Sequence, residues 1–158
     1  MADEGTGEGA GDLAAENDAL GLALTAEHAA VWGYGVVGAA LAAADRGTAT
    51  SAEAAHRDVR DSVITLLAQR SVEPAAAEGA YALPFPVLSP VDAAALAVVL
   101  EDGTAAAWVR VLDQAAESGT RELAVGALTG AEVRAVSWRT TAGQTPVTKA
   151  LPGLPPRD

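Results

Sequence analysis

The sequence predicts an all-α protein, a four-helix bundle made of two helical hairpins joined by a long crossover. Three observations carry this expectation. Alanine is the commonest residue and the best helix former; half of the 158 residues are hydrophobic but only 4 % are aromatic, so the core has to be built from Ala, Val and Leu. Helix-start signals divide the chain into four helical segments. One connection, residues 71–88, is longer and more apolar than the others, as a segment lying along a bundle must be.

Residues 1–12 hold glycine and acid with little to bury, which predicts a disordered acidic leader. Helix 1 is expected from Leu13 to Ala44, with Gly47 as a left-handed terminator. Alternating steps of four and three place Leu20, Leu24, Glu27, Val31, Tyr34, Gly38 and Leu41 on one face. Glu27 therefore stands where a core leucine is expected, and a carboxylate withdrawn from water is costly unless it is paired, hydrogen-bonded or metal-bound. A second face (Ala29, Trp32, Gly33, Val36, Ala40, Ala43) is also apolar. It suits either a homodimer through helix 1 or cover by the crossover within one chain.

Helix 2 is expected to open at the capping box Thr50-Ser51-Ala52-Glu53 and run to Arg70, with Ala52, His56, Val59, Val63 and Leu66 inward. The crossover carries Tyr81, Leu83, Phe85 and Val87. Helix 3 starts at Ser89-Pro90-Val91-Asp92, an N-cap serine followed by proline at the first helical position. Its seam is Ala94, Ala97, Glu101, Ala105, Trp108 and Leu112, and it is expected to end at Gly119. Helix 4 starts near Thr120, and a second capping box, Thr129-Gly130-Ala131-Glu132, marks a candidate break. The bundle domain thus spans 13–140, and the proline-rich tail 141–158 reads as an irregular strap or a disordered end.

Charge and composition exclude several function classes. The formal net charge is −11, and no Lys or Arg precedes Arg46, against eight acids from Asp3 to Asp45. Such a field repels nucleic acid and anionic lipid. With no cysteine there is no disulfide, thiolate chemistry or Cys-ligated zinc. The N-terminus has neither the basic nor the apolar region of a signal peptide, and helix 1 carries Glu27 and His28 near its middle. A soluble cytoplasmic protein without a membrane partner is expected. No nucleophile motif, phosphate loop or dinucleotide fingerprint is present.

Five short segments add a family resemblance: AEHAAVWGYGVVGAAL in helix 1, AAHRDVRDSV in helix 2, YALPFPV in the crossover, LED in helix 3 and AVSWR in helix 4. Together, over residues 15–140, they resemble an uncharacterised bacterial ferritin-like domain, itself a domain of unknown function. The resemblance implies a ferritin-like four-helix bundle and draws attention to Glu27, His28, His56, Arg57, Arg60, Glu101 and Trp138.

Ferritin-like di-iron sites use one Glu from each of two helices and a Glu-x-x-His from each of the other two. Glu27, Glu53 with His56, and Glu101 supply much of such a set, but the only histidines are His28 and His56, so helix 4 cannot complete it. The predicted helix ends also separate the candidates. Glu27 lies about 18 residues, or ~27 Å, below the end of helix 1, and His56 only about six residues, or ~9 Å, below the start of helix 2. No metal and no cofactor is expected on that arithmetic.

The same arithmetic sets Glu101 level with Arg60 and Tyr34, and proposes an Arg60–Glu101 pair completed by the Tyr34 hydroxyl. Glu27 is left to Arg134 or Arg139. His56 reads as a core histidine, His28 as partly exposed, and Trp108 and Trp138 as core aromatics whose indole N–H groups need partners. The favoured function is a non-enzymatic, dimeric or partner-binding ferritin-like module without a complete di-iron site. The alternatives are a small-molecule-binding or acid–base site using Glu27, Tyr34, His56, Arg60 and Glu101, and a degenerate single-metal oxidoreductase-like site.

Overall fold

The structure, a computed structural model, describes residues 5–155, with side chains from Asp12 onward. Four helices account for most of it: α1 (Gly5–Ala40), α2 (Arg46–Gln69), α3 (Pro90–Gln114) and α4 (Ser118–Thr141). No strand occurs among the described residues. Backbone packing joins α1 to α2, α1 to α3, and α3 to α4. The α2–α4 side is closed by side chains instead, with His56 near Arg134 and Arg70 bonded to Thr120.

The expected helix ends need correction, because backbone continuity overrides two capping boxes. α2 starts at Arg46, so Gly47 lies inside a helix rather than terminating one. Thr50 donates its hydroxyl to the Arg46 carbonyl, and Glu53 pairs with Arg57 one turn on. α4 runs unbroken through Thr129. α1 includes residues 5–12, which the sequence suggested as a leader; residues 1–4 lie outside the described set. The end of α2 and the start of α4 fall within two residues of expectation, and the α3 start is as read: Ser89 Oγ accepts from the Asp92 N–H at 3.2 Å, and Pro90 begins the helix.

The core consists of two apolar clusters separated by a polar layer. Tyr34, Val37, Leu41, Ala49, Ala52, Leu96, Ala97 and Trp138 fill the end near the α1–α2 turn. Leu20, Leu24, Val63, Leu67, Trp108, Val111 and Ala124 fill the other. With so few aromatics, fit relies on close backbone approach. Gly38 on α1 faces Ala49 on α2, and a Cβ at Gly33 would stand 2.7 Å from the Leu100 side chain.

The crossover lies along the outside of α1. His28, buried rather than partly exposed, has Nε2 3.0 Å from the Ala75 carbonyl, and Trp32 rests on Tyr81 with ring centroids 5.8 Å apart. Phe85 and Val87 of the crossover, like Val36 and Ala40 of α1, pack against the core cluster that holds Tyr34, Val37 and Leu96. The second apolar face of helix 1 therefore has a partner within the chain.

The segment after α4 is a packed strap. Arg139 Nη1 donates to the Val147 carbonyl at 2.9 Å, and Lys149 reaches Asp102 on α3 at 2.7 Å. At Gly153 (φ 73°), a Cβ would meet Val109 Cγ2 at 2.5 Å and the Ala105 carbonyl oxygen at 2.6 Å. The strap thus meets α3 where only glycine fits. Gly153→Ala should lower the unfolding free energy by about 1–3 kcal/mol. Gly79→Ala, with open space around it, should leave the unfolding free energy from urea denaturation unchanged within about 0.5 kcal/mol.

Candidate functional site

The polar layer draws charged or titratable groups from all four helices: Glu27 and Tyr34 of α1, His56 of α2, Glu101 of α3 and Arg134 of α4. Glu27, His56 and Glu101 are at most 1 % exposed. His56 Nδ1 lies 2.6 Å from Glu27 Oε2, and its Nε2 lies 3.2 Å from Glu101 Oε1. The other oxygen of Glu27 accepts from the Trp108 indole N–H at 2.7 Å. Glu101 Oε1 also accepts from the Tyr34 hydroxyl, and from Arg134 Nε at 2.8 Å. Tyr34 stacks on the His56 ring. Two carboxylates are thus set against one imidazole and one guanidinium.

Three expectations fail here. Glu27 and His56 are in direct contact, not separated along the bundle. With the observed ends, Glu27 is about 13 residues from the top of α1 and His56 about 10 from the top of α2, so ~20 Å and ~15 Å replace the earlier values, a difference two side chains span. Arg60 does not reach Glu101: it pairs with Asp61 at 2.7 Å on the surface. Arg134 takes that role instead, leaving Glu27 to His56 and Trp108 rather than to an arginine. Tyr34 and Glu101 do meet, as the level argument expected.

Electrostatics follow from the geometry. Burial opposes charge on His56, but hydrogen bonds and attraction from Glu101 and Glu27 outweigh it, so its pKa is raised above 6.5. Burial likewise works against the Glu101 carboxylate, and His56 and Arg134 overcome it, holding its pKa below 4.5. Burial and the Glu101 charge push the Tyr34 phenol well above its ordinary range, so it acts as a fixed donor.

This donor set does not fit a metal. Both His56 nitrogens face carboxylates, and an imidazolium has no lone pair to offer. Both Glu27 oxygens accept hydrogen bonds, and a guanidinium stands against Glu101. Among the described residues no group of three His, Asp or Glu side chains is arranged to hold an ion. One acceptor remains over: Glu101 Oε2 is buried with no hydrogen-bond partner.

A second polar junction, unmarked in the sequence reading, ties the far end together. Glu16, fully buried, accepts from Arg70 at 2.5 Å, from the Thr120 hydroxyl, and from the backbone N–H groups of Ala116 and Glu117 at 2.6 and 2.8 Å. Burial would raise its pKa, but these donors lower it below 4.5. Glu16 lies one turn before Leu20, but the alternating steps of the helix-1 seam lead back to Asn17, so the pattern passes it by. On the α3–α4 side, buried Arg139 pairs with Asp102 at 2.5 Å.

Against known proteins, the chain matches the family pattern described as a domain of unknown function, DUF4439, over residues 19–156. The chain belongs to this family. The DUF4439 match extends over the strap, residues 142–155. The crystal structure of a conserved hypothetical protein from Mycobacterium tuberculosis is similar, at 39 % identity and a TM-score of 0.78, covering 80 % of this chain and 96 % of that one. No curated protein matches. No helix among the described residues is long and apolar enough to cross a membrane.

Removing Arg134 should cost much more than removing Arg60. Arg134→Met strands the Glu101 carboxylate and should lower the unfolding free energy by about 3 kcal/mol, the low end for a broken buried pair because the guanidinium is 24 % exposed. Arg60→Ala should change it by less than about 1 kcal/mol, since its partner is a surface carboxylate.

The pH profile of the urea midpoint should fall on both sides. Below 6.5 His56 is protonated whether or not the chain is folded, so its contribution is complete there; as pH rises, only the folded state retains the proton, and the contribution is lost through the raised folded-state pKa. Glu101 and Glu16 contribute fully above 4.5 and lose that contribution as pH falls. His56→Gln should abolish much of the alkaline fall and shrink the Glu101 part of the acid one, leaving the part that belongs to Glu16.

Proposed function

We propose that this chain is a metal-free member of the ferritin-like class and serves as a non-enzymatic binding module in the cytoplasm. Ferritin-like bundles build their metal centres from side chains of all four helices facing one level of the core. Here that level carries a charged or ionisable residue from every helix, and the observation that supports the reading is their mutual neutralisation. His56 bridges Glu27 and Glu101 while Arg134 holds Glu101. The imidazole and guanidinium supply the positive charge that a cation would otherwise bring.

Groups spent on one another leave no general acid or base poised at an accessible surface. The grooves along α2 (Asp58 to Gln69) and under the strap (Leu154 with α1 and α3) are not lined by the layer residues. Recognition then falls to the outer surfaces. A second reading, binding of a small polar molecule inside the layer, draws on the unpartnered Glu101 Oε2.

Elemental analysis of protein made in iron- and manganese-supplemented medium and purified without chelator tests the first reading. It expects no stoichiometric metal. About one bound ion per chain, lost in Glu101→Gln, would overturn it. For the second reading, small amines should raise the melting temperature of the wild type but not of Glu101→Gln.

A further inference from the structure

We propose that the groove between α4 and the strap binds a small organic ammonium ion. The charged head meets Glu132, and the apolar body lies against Leu128, Val133 and Val136 of α4 and Pro152 of the strap. The inference rests on the binding-module reading above and names a ligand class for one of the outer surfaces. The groove measures about 430 Å³, within the range of about 300–1,000 Å³ usual for small-molecule sites. Steps of three and four put Val125, Leu128, Glu132, Val133 and Val136 on one face of α4, so an acid again interrupts an apolar stripe. This stripe is open to solvent: Val125 and Val133 are 53 % and 67 % exposed.

One oxygen of Glu132 is uncommitted. The residue closes the sequence pattern of a capping box, but α4 runs through Thr129 unbroken, so the backbone N–H groups a cap would offer are used inside the helix. Its Oε1 is buried and takes no donor from the described residues. Its Oε2 lies 3.5 Å from Arg139 Nη1, long for a charge-assisted hydrogen bond, and that nitrogen already donates to the Val147 carbonyl at 2.9 Å. Asp102, by contrast, holds two cations, Arg139 on one oxygen and Lys149 on the other. A buried acceptor left over is costly, and a charged donor relieves it best. The field of a chain with net charge −11 favours an arriving cation. One carboxylate among apolar walls offers too few ligands for a metal ion, whereas an ammonium group on a hydrocarbon body matches both the acid and the walls.

The test is a proton–nitrogen NMR titration of the full chain at neutral pH with benzylamine, an ammonium ion there, and with benzyl alcohol, its neutral counterpart. Benzylamine should give saturable shifts at the amides of Val133, Val136 and Lys149. Benzyl alcohol should bind at least about tenfold more weakly, because the charged hydrogen bond is the stronger. Glu132→Gln keeps the shape, removes the charge and should weaken benzylamine by at least about tenfold. Glu122→Gln, at an exposed carboxylate earlier on α4 and outside the groove, should leave its affinity unchanged.

No saturable shift in the wild type, equal affinity for benzyl alcohol, or unchanged affinity in Glu132→Gln overturns the proposal. If Glu132→Gln does not fold, Val133→Lys sets a competing ammonium in the groove at an exposed position and should weaken binding likewise; undiminished binding overturns the site. Shifts centred on His56 and Glu101 also overturn it, in favour of a ligand inside the polar layer. Stoichiometric metal in the elemental analysis contradicts the metal-free binding-module reading, whereas failure of benzylamine to bind contradicts the groove alone.

Discussion

The His56 ring, held between Glu27 and Glu101, is the contact on which the rest of the structure depends. One imidazole joins α1, α2 and α3, and each of its nitrogens fixes the height of a different neighbour. A slip of α2 by one turn, ~5.4 Å, would break both bonds and take the imidazole from two buried carboxylates; a slip of α1 or α3 would break one. Alanine-rich surfaces offer little register information of their own, because small side chains interdigitate weakly. The polar layer supplies it, and Arg134 extends the same control to α4 through Glu101.

Similar logic operates at other points of the bundle. Glu16 gathers Arg70, Thr120 and two backbone N–H groups of the α3–α4 turn, so α1 and α2 meet the start of α4 through one carboxylate. Arg139 and Lys149 converge on Asp102, binding the strap to α3 and α4. Each junction brings a buried or half-buried charge together with its partners, and each sits where helix ends or a change of direction need defining. The apolar clusters between them provide the burial.

The sequence made the architecture legible because its cues were periodic and local. The helix-1 seam, the Ser89-Pro90 start and the length of residues 71–88 all point to helices that the structure contains. Glu27 and Glu101 stood out by interrupting apolar seams, and both lie in the layer. Pairing was harder to read, because it depends on helix ends. Thr50 and Glu53 satisfy the pattern of a cap, yet α2 begins at Arg46. That shift of a few residues moved His56 from an apparent mismatch with Glu27 to direct contact. Arg60 and Arg134 are both arginines on helices next to the layer. Nothing local distinguishes the two, and only the packing of α4 against α3 brings Arg134 to Glu101.

Nitrogen-15 NMR of the protein labelled at histidine tests the account most directly, with His28 as an internal comparison. The account predicts that both His56 ring nitrogens carry protons at neutral pH, and that this state persists well above the pH at which free histidine is half-titrated. A neutral His56 ring with a single protonated nitrogen at that pH would contradict it, for Glu27 and Glu101 would then lack the bridging cation on which the layer is argued to stand.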